Sequence, residues 1–178
     1  MQSLSARLKG FSELTGRLIA WLMVPMVAGT FLVVLLRYAF DLGWIWMQEG
    51  TVWVHAAVFM LAAAYTLNRD EHVRVDIFYR GMSLKRRACV DLAGTLLFLI
   101  PMAAFLLVIS WDYAAVSWQI REGSREAGGL PYPSMSLLKS LIPLTAGLLI
   151  VQGVATLLDA LLALAKRGPA AGGAGEAA

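Results

Sequence analysis

The sequence predicts an all-α membrane protein: four transmembrane helices, an N-terminal amphipathic interfacial helix and a short cytoplasmic interfacial segment. Three observations lead there. The 178 residues are 59% hydrophobic and only 15% charged, with mean hydropathy +0.68, whereas soluble domains carry about 25% charged residues. The excess lies in four runs: Leu18–Leu36, Thr51–Leu67, Leu92–Trp111 and Leu141–Ala165. Each approaches or exceeds the roughly 20 apolar residues that a helix needs to cross a hydrocarbon core. Third, Lys and Arg gather in alternate connections, as membrane topology requires.

The expected spans are about 18–36, 50–68, 92–111 and 139–165, forming one membrane domain over 1–167. A cleaved signal peptide is the competing reading of the first run. It fits poorly, because the run is longer than a signal core and Arg37 follows directly where a small-residue cleavage site belongs. The N-terminal segment, the 69–91 connection and the tail hold 11 Lys and Arg, against 4 in the other connections. The positive-inside rule therefore expects both termini in the cytoplasm. The net charge of +3 reflects these anchors; no basic face interleaved with aromatics points to nucleic acid.

Ahead of the first span, Leu4, Leu8, Phe11 and Leu14 recur at helical spacing, with Arg7, Lys9 and Glu13 largely elsewhere. That is an amphipathic helix for the membrane interface. Tyr38, Phe40, Trp44 and Trp46 fall in the first outer loop and Trp111, Tyr113, Trp118 and Tyr132 follow the third span. Both clusters suit an outer interfacial belt. From Leu84 to Gln119 only Pro101 interrupts a helical pattern, so a long bent helix is expected. Residues 122–136 hold three glycines and two prolines, a loop. Residues 168–178 have nothing large to bury and are expected to be disordered.

The chain carries no catalytic or cofactor signature. It has two histidines, of which only His55 and not His72 lies within an expected span, and one cysteine, Cys89; a haem held by two membrane histidines needs a second at depth, and a lone cysteine makes no thiolate cluster. Cys89 reads as a small packing residue. No enzyme, metal or cofactor role is expected. Near the membrane, Arg37 and Glu49 are candidates for an ion pair at the outer surface. His55 reads as a neutral hydrogen-bonding group, and Asp159 as solvated or paired with Lys166 or Arg167. Ala56, Ala57, Ala62, Ala63 and Ala64 in span two, and Ala146, Gly147, Gly153 and Ala155 in span four, permit close helix contact, either inside the chain or against another protein.

Three segments carry a resemblance. "RYAFDLGWIWMQEG" links spans one and two, "NRDEHVRVDIFYRGMSLKRRACVDL" links spans two and three, and "GGLPYPSMSLLKSLIPLTAGLLIVQG" opens span four. In that order and spacing, over about residues 15–165, they resemble the small membrane subunit of TRAP (tripartite ATP-independent periplasmic) transporters, DctQ type. The resemblance implies a bacterial inner-membrane subunit that pairs with a large permease subunit and supports its scaffold. A periplasmic binding protein would deliver an organic acid, with sodium coupling in the large subunit. The motif positions are Arg37, Tyr38, Trp46 and Glu49 outside, Glu71, His72, Val75 and Asp76 inside, and Gly129, Pro131 and Pro143 at the approach to and start of span four, with Arg74 beside the inner ones at headgroup level. They are candidates for partner or lipid contact. "GGLPYPS" departs from relatives that carry a tryptophan after the proline, which leaves the substrate open. A self-sufficient homo-oligomeric channel or carrier is the alternative. The charge-dense stretch "RDEHVRVDIFYRG" (69–81) is expected to anchor and dock at the cytoplasmic interface, with membrane lipids among its partners.

Overall fold

In a computed structural model, which describes residues 2–69, 79 and 81–165, the chain is helical, and no strand occurs among the described residues. Helix α1 covers Gln2–Ala20, α2 Met23–Phe40 and α3 Ile45–Asn68. Helix α4, Leu84–Gly94, continues through a π-helical turn, Thr95–Leu99, into α5, Ile100–Gln119. Helix α6, Ser134–Ala165, completes the bundle. Four units are long and apolar enough to span a membrane: Ala6–Phe40, Ile45–Asn68, Lys85–Gln119 and Ser134–Ala165.

Two prolines set the two interruptions. Pro25 has no N–H to give the Trp21 carbonyl, and the ladder breaks there. The turn is bridged by Leu22 N–H to Ile19 O (2.9 Å) and Val24 N–H to Trp21 O (3.3 Å). Pro101 likewise cannot bond to Leu97, and the preceding turn widens so that Ile100 N–H reaches Thr95 O. The long third helix expected from the sequence is present, interrupted at the expected proline.

Helices α1 and α2 together run antiparallel to α3: Gly16 lies against Tyr65, and Gly29 faces Thr51. The 35 residues from Ala6 to Phe40 span about 50 Å, against a core about 30 Å thick. One end must therefore leave the hydrocarbon. On the leucine stripe of α1, Leu8 is half-buried while its later members turn away from the protein. Phe11, Leu14 and Leu18 are exposed, while Ser12, Gly16 and Ile19 are buried against α3 and α6.

The interior is built of small residues. Ala57, Ala64, Ala103, Ala114, Ala146 and Ala155 are buried, whereas Val27, Phe31, Phe59, Phe98, Val108 and Trp111 are exposed. Lipid tails give no hydrophobic drive for helix association, so close backbone approach takes over that role. At Gly153 a Cβ would stand 3.2 Å from both Ile100 Cγ1 and Leu99 Cδ2, so a larger residue would have to push these side chains aside where α6 lies against the π turn. The small residues singled out from the sequence thus include several that serve internal packing.

Candidate partner-contact surfaces and the polar ends that shape them

Each end of the bundle is fastened by polar side chains. At the end where α3 begins, the 120–133 loop folds back over Glu49. Ser124 Oγ donates to Glu49 Oε1, and the Leu130 N–H donates to Glu49 Oε2 at 2.7 Å. Gly129 stands so close that a Cβ there would lie 2.7 Å from Glu49 Oε2 and 2.6 Å from Ser124 Cβ. The Trp46 N–H donates to Gly128 O (3.1 Å), joining the α2–α3 connection to the same loop.

The expected Arg37–Glu49 pair does not form. The loop supplies Glu49 with a hydroxyl and a backbone N–H, and Arg37 stays exposed on the last turn of α2. Tyr38 and Trp46 are exposed beside it, and Pro131 is exposed on the loop. Ser117 and Ser136 bond each other at 3.1 Å in a buried contact between α5 and α6. Trp118 Nε1 donates to Ser140 Oγ (2.9 Å), and Trp53 Nε1 donates to Ser134 O (3.0 Å). Lys139 pairs with Glu122 at 2.5 Å and lies 4.2 Å from the Tyr113 ring centroid. Hydrogen bonding from Lys139, then from Ser117, holds the Glu122 carboxyl below its ordinary value, with burial opposing the shift.

At the opposite end Gln152 is the hub, 1% exposed. Its Oε1 accepts from Ser12 Oγ (2.7 Å), and its Nε2 donates to Asn68 Oδ1 (3.3 Å). One amide thereby ties α6 to α1 and α3, and satisfies polar groups that would be costly in a lipid-level interior. Asp159 pairs with Lys9; the expected partners Lys166 and Arg167 lie outside the described residues. Arg69 grips Glu13 with two donors, Nε to Oε2 at 3.1 Å and Nη2 to Oε1 at 2.5 Å. Gln152 and Ser12 were not singled out from the sequence, although a glutamine inside a 25-residue apolar run is the kind of signal that finds such a hub. Cys89 is exposed, not packed as expected. Glu71, His72, Arg74 and Asp76 lie outside the described residues, as does the 168–178 tail.

Helix α2 has no buried residue, and its partner within the chain is chiefly α3. Met23, Val24, Val27, Phe31, Val34 and Leu35 form its apolar outer face. Among the described residues no three His, Cys, Asp or Glu side chains converge as a metal site. Residues 26–163 match the family described as "Tripartite ATP-independent periplasmic transporters, DctQ component". The chain belongs to this family. The membership agrees with the four apolar units, which mark an integral membrane protein.

A relative from Vibrio cholerae serotype O1, described as "C4-dicarboxylate TRAP transporter small permease protein DctQ", is 34% identical over 99 residues. The alignment takes in 54% of this chain and 41% of the relative, so the chain spans about two fifths of that protein's length. No solved structure matches the chain.

Proposed function

We propose that this DctQ-family chain is the small subunit that pairs with a large permease subunit in the bacterial inner membrane, supporting its scaffold. Beyond the family itself, the observation that carries this reading is α2: an apolar helix with no buried residue in a bundle whose α6 is buried along its length. A membrane helix with so little internal contact needs lipid or another protein around it, and pairing supplies the second. The termini and the 69–91 connection are assigned to the cytoplasm on the bias of Lys and Arg. That puts Arg37, Tyr38 and Trp46 on the periplasmic side, within reach of a substrate-binding protein. Glu49, Gly129 and Pro131 shape the loop beside them. Glu71, His72, Arg74 and Asp76 keep a docking and lipid-anchoring role on the inner side. Uptake of an organic acid, with sodium coupling in the large subunit, is proposed from the family and from the dicarboxylate in the relative's name.

Co-expression with the large permease subunit tests the pairing. A stoichiometric complex that survives purification, together with loss of uptake when this chain alone is deleted, is the expected result. A purified chain that moves solute by itself in vesicles would replace this reading with a homo-oligomeric channel or carrier.

A further inference from the structure

We propose that the cavity between α1, α3, α4 and α6 holds the headgroup of a membrane phospholipid bearing a phosphate and a primary ammonium, the ethanolamine type. The cavity measures about 650 Å³, within the range of small-molecule sites. Its lining includes Lys9, Asn68, Tyr79, Arg87, Asp91 and Asp159, together with Leu99 and the buried Thr95 and Gln152. Asn68 is the last residue of α3, and Asp159 is near the end of α6. The cavity thus lies where apolar spans give way to polar side chains, the level of lipid headgroups.

The wall's charges select the ligand. Among the described lining residues, Lys9 and Arg87 supply two positive charges, Asp91 and Asp159 two negative ones. An anionic glycerol-type headgroup would meet two carboxylates without a cation of its own, whereas a zwitterion answers both signs. A primary ammonium donates hydrogen bonds that carboxylates accept. A choline-type trimethylammonium has no such donor and is held by several aromatic faces. Tyr79 is the one aromatic ring among the described lining residues, and Arg87 already lies 5.2 Å from its centroid.

The groups are held in place independently of any ligand. Tyr79 Oη donates to Asp91 Oδ2 at 2.7 Å, Arg87 Nε donates to Met82 O at 3.1 Å, and Lys9 pairs with Asp159. A second feature marks the cavity: Thr95 and Leu99, the two ends of the π turn, line it. Such turns recur at functional sites. Beside it, a Cβ on Gly94 would meet nothing within 4 Å.

The full chain, placed in bilayers of ethanolamine, choline or glycerol phospholipid and released for native mass spectrometry, tests the proposal. One retained ethanolamine lipid is expected, preferred by about tenfold over the other two, the scale of one charged hydrogen bond. Gly94→Leu projects a side chain into the open space and should abolish retention with helix content unchanged. Should that variant fail to fold, Asp91→Asn decides, with the preference for ethanolamine over choline expected to vanish. Retention without headgroup preference, retention undiminished in the folded variant, or no retained lipid in any bilayer each overturns the proposal.

Discussion

Helices α2 and α6 are both apolar and both long enough to span a membrane, yet their residues have opposite fates. Helix α6 buries Leu141, Pro143, Thr145, Ala146, Gln152, Gly153, Ala155 and Ala160, while α2 buries none. The difference is in side-chain size and polarity. Helix α6 offers small residues and hydrogen-bonding groups on the faces that meet α1, α3, α4 and α5. Helix α2 offers Val, Leu and Phe, which lipid solvates as well as protein does. In this chain hydrophobicity sets which segments enter the membrane, and smallness with polarity sets which of them pack together.

That contrast can be broken by substitution. The largest effect is expected for Gly153→Leu, which overpacks the α6 contact with Leu99 and Ile100 and should destabilise the fold by about 1–3 kcal/mol. Thermal unfolding of the detergent-solubilised chain measures it. Gln152→Leu should follow, costing about 1 kcal/mol, with Ser12 and Asn68 losing their partner. Combining it with Ser12→Ala should cost less than the sum of the two, since one bond is removed twice.

Smaller and local is Glu49→Gln, which gives up a carboxylate accepting from Ser124 and Leu130. Protease cleavage within residues 122–133 should accelerate while the helices hold. The same loop should loosen in acid. A carboxyl with a lowered pKa stabilises the fold above its unfolded value, and that contribution is lost as pH falls through the folded value. Loop cleavage should therefore rise below the ordinary glutamate range, and Glu122→Gln should flatten that rise. The smallest effect on the isolated chain belongs to Phe31→Ser on α2, within about 0.5 kcal/mol as for other surface sites. Its effect on co-purification with the large permease subunit should be much greater. Equal stability losses from Phe31→Ser and Gly153→Leu would erase the contrast.

The spans were legible because apolar length is a one-dimensional property: the four runs read from hydropathy became α1–α2, α3, α4–α5 and α6. The break near Pro101 was legible for the same reason, since a missing N–H acts within one turn. Pairings were less so. Glu49 and Arg37 are near in sequence, but Glu49 takes its partners from 75 and 81 residues away. A loop's backbone N–H has no sequence signature at all. Gln152 left a signal, one amide in an oily run, but its partner Ser12 looked like any other residue of an amphipathic helix. The inward face of α1 went unread because its leucine stripe marks the side that meets lipid, and its packing side is merely small.

The bond from Ser12 to Gln152 joins residues 140 positions apart. During synthesis Ser12 emerges 140 positions ahead of Gln152, so α1 can pack on α3 early while Ser12 waits for its amide until α6 has inserted. A chain truncated before Gln152 would keep the α1 contacts with α3, including Arg69–Glu13, and still lack the amide that ties both helices to α6.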